Sequence, residues 1–335
     1  MNTSQGKIDE LNAIVKEGVA RDQENRLEPK YVEFTVIRKL KEVTRDICRS
    51  IETPTTFDRT EDPTRSLVTH YTSINALFSM LQSAAEGKSG SLRLYDSVHF
   101  NDPDEGKILV GYFEKRHPWM RLEYRHPSLA YVASFVAPPS DQQRDSSNDD
   151  LVFWLTYGKE CEGCSLRISI PNAQLRKVSY CADEATRTGQ ALLPILDAIE
   201  PLADVNEDIR ITLAKGFLDS MEGTQYLYKS EAYQFENESR FLVGGSNVCK
   251  DNICFDLRNN SSPIIRHYWE HEDLSVGEIF GSGTSITIGS RVPDFDDLER
   301  SLKILIERIN TRLEENDKSP INPDIFFSNI QYRKT

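Results

Sequence analysis

The stretch FENESRFLVG (235–244) decides how this chain is read. Its second half, Phe241-Leu242-Val243, is the apolar run of a strand entering a core. A strand has a side-chain period of two, so Glu236, Glu238 and Arg240 are predicted to share one face. Three like-facing charges are costly inside an ordinary core. Two arrangements remain open: a solvated edge on which Arg240 merely offsets two acids, or a site. In a site, a carboxylate pair emerges from a buried strand, one acid titrates abnormally beside the other, and Arg240 offsets their repulsion.

Outward from this stretch the chain alternates blocks of strands with blocks of helices. Strands are predicted at LVTHYT (67–72), SLRLY (91–95), SLAYVASFVA (128–137), CSLRISI (164–170), CFDLR (254–258), IIRHYW (264–269), SITIGS (285–290) and DIFFSNIQYR (324–333). Helical spacing runs through Ile8, Leu11, Ile14, Val15 and Val19, and again through Ile37, Leu40, Val43, Ile47 and Ile51. Another helix follows Ser73, most of 185–222 is helical despite Pro194 and Pro201, and 294–313 forms an amphipathic helix with acids in its first turn. LVFWLTYG (151–158) reads as a short apolar helix or strand, and PPSDQQRDSSNDD (138–150) as a polar loop. Grouped rather than alternating elements predict an α+β fold with a mixed, mainly antiparallel sheet. The expected organisation is a helical N-terminal extension (1–51), a Pro/Thr/Asp-rich linker (52–65) and an α+β catalytic-like domain (66–335).

Composition narrows the function. The 335 residues hold 40 Lys plus Arg against 53 Asp plus Glu, a net charge of −13 that argues against a broad polyanion-binding surface but leaves room for a local basic groove. No apolar run reaches about 18 residues, so no membrane span is expected. The N-terminus lacks the basic-then-apolar pattern of a secretory leader. Six Cys are too sparse for a disulfide scaffold. A soluble, cytoplasmic protein is the expectation.

The motifs are individually modest. His70-Tyr71-Thr72 closes a strand, where His can bond ribose hydroxyls and Tyr can stack, or where both simply pack. Asn101-Asp102-Pro103 with Glu105-Gly106 is turn chemistry that could also brace a ligand-facing loop. On a helix Trp154 and Tyr157 share a face, either as core or as a stacking wall for a base or nicotinamide. Cys161-x-x-Cys164 lacks a second half at zinc spacing. His267 and His271 lack the Glu of a metalloprotease helix, and GSGTS (281–285) lacks the Gly-Lys-Ser/Thr ending of a phosphate loop.

Taken in order, HYT (70–72), FNDPDEG (100–106), ASF (133–135), DDLVFWLTYG (149–158), FENESRFL (235–242), ITIGSR (286–291) and SNIQYR (328–333) resemble a large bacterial family catalogued as a domain of unknown function. The resemblance spans roughly 66–335. A looser likeness is to the ADP-ribosyltransferase superfamily: an early strand-end His, aromatics in the middle, and a late Glu-x-Glu. That likeness implies an ADP-ribosyltransferase-like sheet core, NAD as substrate and no metal. It implies Glu238 as the catalytic acid and Glu236 as the acceptor-side acid. His70, Tyr71, Thr72, Tyr95, Asn101, Ser134, Trp154, Tyr157 and Arg240 would hold the cofactor, with Tyr95 ahead of Tyr157 as the middle tyrosine. A Ser-Thr-Ser middle motif is absent, with only Ser134 near its place. The implied activity cleaves the nicotinamide N-glycosidic bond and passes ADP-ribose to a protein or nucleic acid. The alternatives are NAD hydrolysis, a non-catalytic nucleotide- or partner-binding module, and a metal-dependent nuclease that no spacing supports. The N-terminal helices are a candidate partner contact, and a toxin or defence role follows only from the company such enzymes keep.

Overall fold

A computed structural model describes residues 2–51, 62–99, 102, 104–121, 130–137, 150–258 and 264–330. The helices are α1 (Asn2–Gln23), α2 (Pro29–Tyr31), α3 (Ile37–Ile51), α4 (Ile74–Ala85), α5 (Lys107–Arg116), α6 (Leu151–Thr156), α7 (Ala182–Ala203), α8 (Glu207–Ser220), α9 (Val276–Ile279) and α10 (Phe295–Glu315). The strands are β1 (Arg65–Ser73), β2 (Ser91–Asp96), β3 (Ala130–Val136), β4 (Gly163–Pro171), β5 (Leu175–Lys177), β6 (Glu238–Gly244), β7 (Cys254–Arg258), β8 (Ile264–Ser275), β9 (Ser285–Ile288) and β10 (Asp324–Phe327). Local chemistry sets several boundaries. Ser73 caps α4 by accepting from the Ala76 N–H, and Asn206 caps α8 by accepting from Ile209.

The ten strands among the described residues join one mixed, mostly antiparallel sheet, so the architecture is α+β. Its spine runs β10-β9-β4-β1-β3-β2-β8-β7, with β5 and β6 on a branch from β3. The branch has a geometric consequence. β6 pairs with β3 along its full length, from Ala130↔Gly244 to Val136↔Glu238, and so takes one edge of β3. The opposite edge is divided: β2 meets it at Tyr131 and Val132, and β1 only at Val136. Between them the sheet splits, and the stretch around Ala133–Phe135 on that edge has no strand partner among the described residues.

One face of the sheet carries an ordinary apolar core. Val68, Phe135, Leu166, Ile168 and Phe241 pack there against Leu77 and Leu81 of α4, Val276 and Ile279 of α9, and Leu302, Ile306 and Ile309 of α10. A second core is wholly helical. Leu11 and Val15 of α1 and Leu40, Val43 and Ile47 of α3 pack against Leu192, Ile195 and Ile199 of α7, Phe217 of α8 and Phe113 of α5. The helices of residues 1–51 are therefore built into the same core as 182–220.

Most predicted elements recur with shifted ends. The largest difference lies in the deciding stretch. Glu231–Glu236 forms a 3-10 turn, closed by Asn237 in the left-handed region (φ 40, ψ 49), and β6 begins only at Glu238. Asn tolerates that conformation, and its amide donates to the Ala137 carbonyl at 3.0 Å. Glu236 is thus not on the strand, and the common face predicted for three charges holds only for Glu238 and Arg240. LVFWLTYG is helical (α6), with Asp150 accepting from Val152 at its start. β8 runs six residues past IIRHYW, and the last strand stops at Phe327. Residues 52–61 of the predicted linker (52–65), 138–149 of the polar loop (138–150) and Asn101 lie outside the described residues, and β1 begins at Arg65, inside the predicted linker. No helix among those described is long and apolar enough to cross a membrane.

Candidate functional site

Antiparallel register puts Glu238 opposite Val136, and Arg240 opposite Ser134, on the face of β6 and β3 turned from the apolar core. Arg240 is almost fully buried, at 1% exposure. Its Nε lies 2.7 Å from Glu238 Oε1 and its Nη2 3.0 Å from Oε2, a bidentate pairing. The same guanidinium contacts Glu105 and donates to the Tyr226 carbonyl. Lys229 joins the two acids: its Nζ is 2.7 Å from Glu238 Oε2 and 2.8 Å from Glu236 Oε2. The Tyr157 hydroxyl donates to Glu236 Oε1, and the Tyr180 hydroxyl accepts from the Glu238 N–H at 3.0 Å.

Glu105, Tyr157, Lys229, Glu236, Glu238 and Arg240 line a cavity of about 320 Å³, with Asp102, Tyr71, Phe153, Tyr233 and Phe235 also in its wall. Four carboxylates there (Asp102, Glu105, Glu236, Glu238) face two cations, Lys229 and Arg240. Burial alone would raise the Glu238 carboxyl, but the charge and hydrogen bonds of Arg240, with those of Lys229, outweigh it and hold the group at about 2. Burial dominates at Glu105 and raises its carboxyl despite Arg240. Burial lowers the Lys229 ammonium, yet Glu238 and the other acids keep it raised. Burial and then Glu236 raise the Tyr157 phenol, and burial raises Tyr180. Both hydroxyls therefore stay protonated.

Glu105 reaches Arg240 because the turn before α5 reverses at Gly106, at φ +76. A Cβ there would stand 2.6 Å from a ring carbon of Tyr226, the residue whose carbonyl receives Arg240. Only glycine meets both demands.

A second cavity, about 330 Å³, opens where β1 and β2 part, lined by His70, Thr72, Arg93, Tyr95, Ser134 and Arg266 among others. His70 and Ser134 line both cavities. His70 Nδ1 is 3.0 Å from the Ser134 carbonyl, on the stretch of β3 that the split leaves without a strand. A carbonyl only accepts, so Nδ1 carries the proton and Nε2 is left as the acceptor. Burial lowers the His70 pKa and keeps the ring neutral.

Of the sequence candidates, His70, Tyr71, Ser134, Tyr157, Glu236, Glu238 and Arg240 gather at the first cavity, and Thr72 and Tyr95 at the second. Tyr71 lies mostly under other rings, stacked on Phe153 at 5.6 Å and edge-on to Trp154 at 5.2 Å. Trp154 lines neither cavity. It is fully buried in that small core, so the expected Trp154–Tyr157 stacking wall reduces to Tyr157. The Tyr95 hydroxyl donates to Asp256 at 3.2 Å. Lys229, Tyr180, Tyr226, Tyr233 and Phe235 carry no motif that marks them for the site, and Glu105 stands in the sequence only within the turn motif that could brace a ligand-facing loop. Cys161 and Cys164 are buried in different cores and form no disulfide with each other.

No family model, curated protein or solved structure matches this chain.

Proposed function

We propose that the chain is an ADP-ribosyltransferase-like enzyme that breaks the nicotinamide N-glycosidic bond of NAD and passes ADP-ribose to a macromolecule. The observation that carries the reading is the excess of carboxylate in an aromatic-walled cavity, four acids to two cations. As the glycosidic bond lengthens, positive charge grows on ribose C1′ in an oxocarbenium-like state. Fixed negative charge in a partly dry site stabilises that state more than the ground state. Nicotinamide leaves neutral with the bonding pair, the acceptor forms the new bond to C1′, and the acceptor's proton passes to Glu236. Glu238 bonds the ribose hydroxyl, and a donor–acceptor contact of this kind is worth about 3–4 kcal/mol, or about 10²–10³ in rate. His70 Nε2 accepts a second ribose hydroxyl, and the remainder of NAD follows the split between β1 and β2. The two cavities together match the usual range of small-molecule sites.

A specific observation favours a second reading: both oxygens of Glu238 are already engaged, by Arg240 and Lys229. Such a network also serves a non-catalytic binding module, whose carboxylates are perturbed for structural reasons. Nicotinamide release from NAD by the purified protein, with and without cell lysate, separates the readings. Transfer predicts release that lysate stimulates. Hydrolysis predicts release without lysate. Absence of release together with absence of NAD binding leaves the binding module.

A further inference from the structure

We infer that the acceptor is single-stranded nucleic acid, held in a basic groove that ends at the 231–236 turn; this rests on the transfer reading of the Glu238 cavity. The groove is formed by two adjoining cavities, about 530 and 660 Å³, which share Cys48, Arg176, Thr224 and Leu227. Five cations line it from three elements: Arg45 and Arg49 of α3, Arg176 and Lys177 of β5, and Arg187 of α7. Three acids line it too, and one of them, Glu222, bonds Arg45 at 2.7 Å and approaches Arg49 at 3.9 Å. Cations thus exceed acids five to three in this groove, whereas the whole chain carries 40 to 53. A chain whose mean field repels polyanions binds one only where its cations are gathered in a concavity. Arg49, Lys177 and Arg187 are exposed and open to a phosphate backbone.

The second observation ties this groove to the chemistry. Glu231 and Gln234 of the 231–236 turn line the groove, while Tyr233, Phe235 and Glu236 of the same turn line the site cavity. Tyr180 also lines the groove, and its hydroxyl holds the Glu238 N–H. Phe235 is 51% exposed at this boundary. An exposed aromatic ring at the end of a cationic groove is a stacking platform for an unpaired base. A duplex keeps its bases inside the stack and would present none to the cavity. A strand whose phosphates follow the groove brings a base onto Phe235 and its nucleophilic nitrogen or oxygen to C1′. That atom forms the new bond, nicotinamide leaves with the electrons of the broken one, and the displaced proton goes to Glu236.

The test is fluorescence anisotropy of a labelled mixed-sequence single-stranded oligonucleotide with the full chain and no NAD, over a salt series. Lys177→Glu/Arg187→Glu alters two exposed groups and is expected to melt as wild type does. Wild type should bind, and the double variant at least about tenfold more weakly, with a salt slope shallower by about 1.4, roughly 0.7 per lost contact. Phe235→Ala should weaken binding at least about fivefold. Absence of oligonucleotide binding, equal binding by the double variant, or preference for a polyglutamate peptide as a mimic of an acidic protein segment would overturn the inference. Nicotinamide release without oligonucleotide is read separately. Release with no oligonucleotide binding rejects the groove and leaves the transfer reading standing, whereas binding with no release under any condition rejects the acceptor role itself.

Discussion

At the scale of single residues, Glu238 joins stability to the proposed chemistry. Its carboxyl is held at about 2 in the folded chain against an ordinary value of 4.5. A depressed carboxylate contributes stability that is complete above the unfolded value and lost as pH falls through the folded one. Glu238 should therefore contribute about 3 kcal/mol at neutral pH, lost between roughly pH 4.5 and 2. Glu105 runs the other way: its carboxyl is raised, so the cost of burying its charge is recovered as pH falls. Acid unfolding followed by far-UV circular dichroism should show a shallower loss of stability over that window in Glu238→Gln than in wild type. An identical pH profile would contradict the depressed carboxyl. The charges of this cluster were partly legible in the sequence. Glu238 and Arg240 stood out because period-two charge is anomalous on a strand that turns apolar. Lys229 did not, and Glu105 stood out only as part of a turn motif, because their partners lie 9 and 135 positions away and no local pattern encodes such pairing.

At the scale of elements, the site depends on two tight reversals. Asn237 breaks the 3-10 turn from β6 and sets Glu236 beside Glu238 rather than two strand positions behind it. A β-branched residue there meets the left-handed penalty, so Asn237→Val should cost about 1–2 kcal/mol, with Asn237→Gly costing less. The check is thermal melting of both variants, and equal loss in the two would deny the conformational cause. Gly106→Ala should reduce activity as well as stability, because the added methyl must displace the Tyr226 ring and with it the carbonyl that receives Arg240. Steady-state nicotinamide release gives the readout, and wild-type rates in a folded variant would contradict the coupling. Most strands and the long helices were readable from periodicity, whereas α5 and β5 were not. The Asn237 break was not, since ENES carries the same alternation whether or not its first Glu lies on the strand.

At the scale of the molecule, two cores lie on either side of the charged layer, one between the sheet and α4, α9 and α10, the other among α1, α3, α5, α7 and α8. Two amphipathic helices followed by a Pro/Thr/Asp-rich stretch look detachable in sequence, because periodicity shows an apolar face but not what covers it. The structure covers those faces with α7 and α8. Removing residues 1–51 should therefore expose Leu192, Ile195 and Ile199, and Leu40→Ala in the full chain should cost about 2–5 kcal/mol. A cooperative melt of 52–335 at the full-length temperature would show instead that the helices are dispensable. The β1–β2 split, which joins the two cavities at His70 and Ser134, was likewise invisible in sequence, since it arises from β3 having three partners.

In the proposed reaction, the buried carboxylate cluster drives cleavage of the nicotinamide bond. The most direct measurement is nicotinamide release from NAD by wild type and Glu238→Gln side by side, each shown folded by its thermal melt at the assay temperature. Wild type should release nicotinamide in the presence of cell lysate, and the variant should lose at least about 10² of that rate. Equal release by both folded proteins, or none by wild type, would contradict that reaction.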